Sequence, residues 1–284
     1  MKKGQKIKIA AMVLACVVLD IVLHIVTASY STMPENANFS LAAGILGREI
    51  TASLWALFAF SGVAFVFLTI KNEIPGEGVR KGLRYGTAIA ILWLFAMLEG
   101  VSLFGNPIIN EFIVGLSDAI PVFVLSILLS KLQIEKAESN RPVTFMLREK
   151  IEAVMIFTGI FLAGRYIAYS SGVIQSGNQT RPLETFMWTL LMGITIGTAF
   201  VLLGNNRNGR SLKHRAGKFG FLIFGLNWAM FLVFMPLLFS GYIADVFLRV
   251  IIDIALVTIA SYSTIIPRGG FLRKIKNLFP ATAK

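Results

Sequence analysis

Apolar runs of roughly 19–23 residues recur along this chain, at about 9–29, 49–70, 84–104, 112–131, 151–169, 184–204, 219–240 and 243–265. Each is long enough to cross a hydrocarbon layer of ~30 Å. A backbone in lipid must satisfy its own hydrogen bonds, so continuous runs of this length read as helices. The expectation is an all-α, polytopic membrane protein of about eight transmembrane helices. Composition agrees: 56% of the 284 residues are hydrophobic and only 15% are charged, where a soluble domain carries about a quarter.

The net charge of +12 suggests nucleic acid only until the charges are located. They fall in short segments between apolar runs, not on one soluble face, and no nucleic-acid partner is expected. Lys2 to Lys8, Lys71 with Arg80, Lys81 and Arg84, Lys131 to Lys150, Arg207 to Lys218, and Arg268 to Lys284 all fall on one side. Only Arg48 and Arg181 fall on the other, at loop ends. Positive charge marks the cytoplasmic side, so both termini are expected in the cytoplasm and the chain in a bacterial inner membrane. Val13-Leu14-Ala15-Cys16 resembles a lipoprotein cleavage box, but the apolar run continues to Val26, and the first helix is expected to stay. Cys16 is the single cysteine, which excludes an internal disulfide and any cysteine cluster for zinc or iron–sulfur.

The two halves resemble each other at a shift of 135 residues. Segment 62–68 reads GVAFVFL and segment 197–203 reads GTAFVLL, and the same shift carries Glu49 to Glu184, Trp93 to Trp228 and Asp118 to Asp253. This pattern divides the chain into a first four-helix repeat (1–132), a basic cytoplasmic linker (133–150), a second repeat (151–266) and a basic tail (267–284). Four spans per unit make the repeats parallel, related by a pseudo-twofold axis along the membrane normal. The Asp20-Ile-Val-Leu-His24 segment and the Gly82-Leu-Arg-Tyr-Gly86 entry to the third helix resemble features of small, uncharacterised bacterial four-span membrane proteins, mainly over residues 9–130. The resemblance implies a fold unit and supplies no activity.

Ionisable groups inside spans carry the functional signal, since each costs at least ~2.5 kcal/mol there unless paired or hydrated. They are Asp20, His24, Glu99 and Asp118 in the first half, and Arg165, Arg249 and Asp253 in the second. Glu49, Glu184, Glu111 and Asp245 fall near the outer ends of their helices, where Glu49 and Glu184 also suit a helix N-terminus. Asp20 and His24 are one turn apart and share a face. They form either an ordering hydrogen-bonded pair or two of the three ligands that a zinc site needs, with Glu49 the candidate third. Asp245, Arg249 and Asp253 form a ladder that neutralises itself along one helix, as a structural set of ion pairs. Arg165 is expected to pair across the halves, with Asp20 or Glu99. Asp118 and Asp253, kept by both halves, are the acids that would meet across the pseudo-axis and recruit a cation. The candidate substrate- or ion-binding set is therefore Asp118, Asp253, Asp20, His24, Glu99, Glu49 and Glu184. Gly159, Gly164, Gly193 and Gly197 are spaced for close helix packing.

Three functions are compatible with this pattern. The first is a cation-coupled transporter or channel with an acidic site between the repeats, its partner a small cation or proton. The second is a non-catalytic membrane subunit that binds a membrane protein partner, with the charges as internal glue. The third, an intramembrane enzyme using His24 with Asp20, fits least, because no phosphate loop, nucleophile elbow or metalloprotease helix is present. No cofactor is expected; haem held by two histidines is disfavoured because His214 falls in a basic loop.

Overall fold

A computed structural model describes residues 3–31, 38–132, 145–203 and 211–265. Among these the chain is helical, with no strand, and a lone bridge joins Phe39 to Phe239. Most of the expected basic linker (133–144), the Arg207 loop and the tail (267–284) lie outside the described residues.

Seven segments are long and apolar enough to cross a membrane: Lys3–Val26, Arg48–Ile70, Val79–Phe104, Ile108–Lys131, Leu147–Ser170, Pro182–Leu203 and Leu212–Leu238. They match the first seven expected spans. The eighth expected span forms a 23-residue helix, Ile243–Ile265, which bears Asp245, Arg249 and Asp253 and is not among the seven. In chain order the helices are α1 (Lys3–Val26), α2 (Leu41–Leu46), α3 (Arg48–Ile70), α4 (Val79–Met97), α5 (Glu99–Phe104) and α6 (Ile108–Lys131). There follow α7 (Leu147–Ser170), α8 (Pro182–Leu203), α9 (Leu212–Gly217), a π-helical stretch (Lys218–Gly225), α10 (Leu226–Leu232), α11 (Phe234–Leu238) and α12 (Ile243–Ile265).

Two refinements depart from the expected continuous spans. The third span breaks at Leu98 between α4 and α5, and the seventh breaks at Val233 between α10 and α11. In addition, α2 forms between the first two expected spans. Ser40 caps it by accepting from Ala43 N at 3.1 Å, the usual role of serine at a helix start. The connection between α11 and α12 is tight, residues 239–242, with Gly241 at φ 87°, a conformation that glycine adopts without a Cβ penalty.

The distribution of polarity is that of a protein solvated by lipid. Phe58, Phe65, Met155, Ile167 and Phe247 are each more than half exposed, whereas Arg165 and Asp253 are fully buried. Apolar groups outside and charges inside reverse the arrangement that water imposes and fit a multi-pass membrane protein.

Helix ends explain how the two sets of spans lock together. A helix that stops leaves its last carbonyls without intrahelical donors. α4 stops at Met97, and Trp188 Nε1 on α8 donates to Phe95 O at 2.9 Å. α10 stops at Leu232, and Trp55 Nε1 on α3 donates to Met230 O at 2.8 Å. The acceptors Phe95 and Met230 are 135 positions apart, as are the breaks at Leu98 and Val233. Each tryptophan thus caps a broken helix belonging to the other set of spans. Between the two caps, Phe231 packs against both Trp93 (5.5 Å between ring centroids) and Trp228 (6.0 Å), forming an aromatic core shared by both halves.

These reciprocal bonds make a quantitative prediction. Trp55→Phe and Trp188→Phe each delete one donor while keeping most of the ring, so each should lower stability by about 1–2 kcal/mol. The two losses should match within ~0.5 kcal/mol and add in the double variant. Thermal melting of the detergent-solubilised protein reads this directly. A large loss in one variant and none in the other would show that the two caps are not counterparts.

Candidate functional site

The membrane-embedded charges collect into two groups. The first is a continuous alternating chain of ion pairs that joins Glu99 of the first half to four residues of the second. Both oxygens of Asp253 accept from the Arg165 guanidinium, at 2.7 Å from Nε and 2.5 Å from Nη2. Arg165 Nη1 also donates to Glu99 Oε1 at 3.1 Å, and Arg249 Nη1 donates to the same oxygen. Arg249 then reaches Asp245 through Nε (3.1 Å) and Nη2 (2.9 Å), one turn away on α12. The order is Asp245–Arg249–Glu99–Arg165–Asp253. Aromatic faces complete the cage: the Arg165 guanidinium lies 5.1–5.9 Å from the ring centroids of Trp188, Phe161 and Tyr169. Trp228 Nε1 donates to Asp253 Oδ2 at 2.8 Å. A forked guanidinium suits two carboxylates at once, and the pairing lowers the cost that each charge would bear alone in lipid.

Arg165 pairs with Glu99 rather than Asp20, and Asp245 pairs with Arg249. Asp253, however, does not close the ladder on its own helix. The i+4 spacing to Arg249 is suitable, but Arg165 on α7 offers a planar fork that engages both oxygens, and Arg249 turns instead to Glu99 and to the Gln175 carbonyl (2.8 Å).

The second group lies in the first half. His24 Nε2 is 3.1 Å from Asp118 Oδ1 and 3.8 Å from Asp20 Oδ1. One donor atom of each of the three residues falls within 4.8 Å of the other two. The helix spacing of Asp20 and His24 presents both from α1, and packing of α1 against α6 brings Asp118 to meet them. Thr27, just past the end of α1, and Ser117, next to Asp118 on α6, hydrogen-bond at 3.0 Å. Asp20 is 3% exposed, yet its Oδ1 has no hydrogen-bond partner among the described residues. Asp118 is buried, while the His24 side chain remains 37% exposed.

The expected pairing of Asp118 with Asp253 is replaced by a parallel arrangement. Each acid binds a basic group on the first long helix of its own half: His24 on α1 for Asp118, Arg165 on α7 for Asp253. Trp228 donates to Asp253, whereas the buried Nε1 of Trp93 finds no acceptor among the described residues. Glu49 is likewise not the third member of the Asp20–His24 group. It sits in the first turn of α3 with its side chain 83% exposed, 3.9 Å from Arg48, and Asp118 takes the place expected for it. Glu184 is also exposed, in the first turn of α8. Both glutamates stand where a helix dipole favours a carboxylate.

A cavity of about 200 Å³ connects the two groups. His24, Glu99, Glu111 and Asp118 reach it from the first half and Asp245 and Arg249 from the second, with Trp55, Phe231, Phe234 and Tyr242 as apolar wall. Four carboxylates face one guanidinium and one imidazole there, so the polar part of the wall is acidic. Asn106 Nδ2 donates to Glu111 Oε1 at 2.5 Å, holding that acid beside Gly100, whose missing Cβ would lie 2.5 Å from the carboxyl carbon. Sequence reasoning missed Asn106, Trp228 and the Thr27–Ser117 pair, because their partners come from different elements or across a helix break.

No protein-family model matches this chain, no curated protein matches it, and no solved structure matches it.

Proposed function

We propose that this protein is a cation-coupled carrier of the bacterial inner membrane, with both termini in the cytoplasm and its binding site in the cavity between two parallel four-helix repeats. The ion would bind at Asp118 and His24, with Asp20 behind them and Glu99, Glu111 and Asp245 lining the approach. The observation that carries this reading is the acidic cavity itself, walled by both halves and reaching the buried carboxylate of Asp118 and the partly exposed imidazole of His24 among spanning helices. Buried ionisable groups beside a cavity at membrane depth are the usual constituents of ion pathways, and sites at repeat interfaces are the usual place for them. The repeat is supported by the 135-residue spacing of the helix breaks and by the reciprocal tryptophan caps. In this reading the two repeats have diverged in one respect: the first keeps its acid open to the cavity, and the second closes its acid with Arg165.

The test is flux in reconstituted vesicles. Wild-type proteoliposomes should pass Na⁺, K⁺, H⁺ or a divalent cation down an imposed gradient, and Asp118→Asn should slow that flux at least ~10-fold while melting like the wild type. Vesicles that pass none of these ions above the lipid background would defeat the carrier reading.

A second reading, a non-catalytic membrane subunit, draws on α1 and α7. These are the least buried of the seven spans, with 22% and 28% of their most apolar stretch buried against 44–56% for the others, and they offer apolar faces to lipid or to a partner helix. Absent flux together with a stoichiometric partner on purification would favour it.

A further inference from the structure

We propose that Asp20, His24 and Asp118 form a binding site for a transition-type divalent cation of the Zn²⁺ class, three protein ligands with a fourth position facing the cavity. This deepens the carrier reading by naming the ion, and it rests on that reading for the role of the cavity.

The argument begins with distances. Zn²⁺ holds nitrogen and oxygen ligands at about 2.0–2.2 Å, which places neighbouring corners of a tetrahedron roughly 3.3 Å apart. His24 Nε2 stands 3.1 Å from Asp118 Oδ1 and 3.8 Å from Asp20 Oδ1, within small side-chain torsions of two such edges. All three donors already lie within 4.8 Å of one another.

The second argument is hydrogen-bond bookkeeping. One imidazole nitrogen cannot donate to two carboxylates at once, and it is nearer to Asp118. Asp20 Oδ1, buried and close to the other two donors, is therefore left without a hydrogen-bond partner among the described residues, which is costly for a carboxylate away from water. A cation at the centre of the triangle would satisfy that oxygen together with the other two ligands.

The third argument is charge. Acting as metal ligands, two carboxylates and an imidazole carry two formal negative charges, and a dication cancels them inside the span. The sister site reaches the same end with a protein cation, since Arg165 engages Asp253. The donor set selects the ion. Ca²⁺ takes six to eight oxygens and Mg²⁺ keeps most of its water shell, whereas an imidazole with two carboxylates suits Zn²⁺ and its neighbours. His24 and Asp118 line the cavity, so the open coordination position faces the space where a water or solute can sit.

The experiment uses the full chain in detergent, free of any histidine tag, titrated with Co²⁺ as a coloured stand-in and then with Zn²⁺. One Co²⁺ per chain should give the visible absorption of tetrahedral coordination, and Zn²⁺ should displace it and raise the melting temperature. His24→Ala and Asp118→Asn should each weaken binding at least ~100-fold, the upper end of what losing even an outer partner of a ligand costs. Asp20→Asn should weaken it too, and His214→Ala should leave it unchanged. The proposal is overturned if the wild type shows no stoichiometric Co²⁺ spectrum at micromolar metal, if His24→Ala retains it, or if it follows His214. Should vesicle flux persist where no metal binds, only the identity of the ion falls. Metal binding without flux would keep this site and remove the carrier.

Discussion

Arg165→Leu is expected to destabilise the protein by about 3–5 kcal/mol, the usual cost of removing one partner from a buried pair. The substitution leaves Asp253 with no cation and one remaining donor, Trp228, in a place with no solvent access. It also removes one of the two guanidiniums that share Glu99. Arg165→Lys should fall between wild type and Arg165→Leu, because the charge remains but the fork that engages both Asp253 oxygens does not. The informative variant is Arg165→Leu with Asp253→Leu. Removing both charges takes away the uncompensated carboxylate, so the double variant should recover much of the loss, since a buried pair is often no better than apolar residues of similar volume. Glu99 would still have Arg249. Melting temperature and yield of folded protein after membrane extraction report all three. A single Arg165→Leu variant that melts within a degree of wild type would mean that water or another cation reaches Asp253. The closed aromatic cage would then be a misreading.

The same contrast shows what the amino-acid sequence could and could not reveal. Spans were legible because twenty consecutive apolar residues leave the chain little choice but a helix across lipid. The breaks at Leu98 and Val233 were not, since neither residue is a helix breaker; only Gly100 and Pro236, a little further on, hint at them. The short helix α2 has a local signal in its Ser40 cap, but six residues are too few for an apolar periodicity to mark a helix. In the site, Asp20 with His24 was legible because one helical turn fixes their proximity. Asp118, 94 positions from His24, was identified as an unusual acid, but its partner depended on how α1 packs against α6. Asp253 was assigned to a ladder on its own helix because spacing alone cannot weigh a neighbour one turn away against a fork from another helix. Periodicity determines which residues share a face, and tertiary packing determines which faces meet.

That dependence on packing makes the glycines of α8 the second sensitive point. A Cβ built on Gly193 would lie 2.7 Å from Thr158 Cα, and one on Gly197 would lie 2.7 Å from Val154 Cα. In both cases the obstruction is backbone, which cannot rotate aside as a side chain can. Gly193→Ala and Gly197→Ala should each cost about 1–3 kcal/mol by overpacking, and the double variant more than either, since both push α7 away from α8. The consequence reaches the charge network, because α7 carries Arg165. A displaced α7 withdraws the guanidinium from Asp253 and Glu99, so Gly193→Ala combined with Arg165→Leu should cost less than the sum of the two single losses, a coupling of roughly 0.5–3 kcal/mol. Gly159 supplies the internal control. It belongs to the same set of glycines in the sequence, yet a Cβ there meets nothing within 4 Å, and Gly159→Ala should melt like the wild type. If Gly193→Ala and Gly159→Ala proved equally harmless, α7 would have room to move against α8. The rigid placement that holds Arg165 over Asp253 would then require another cause.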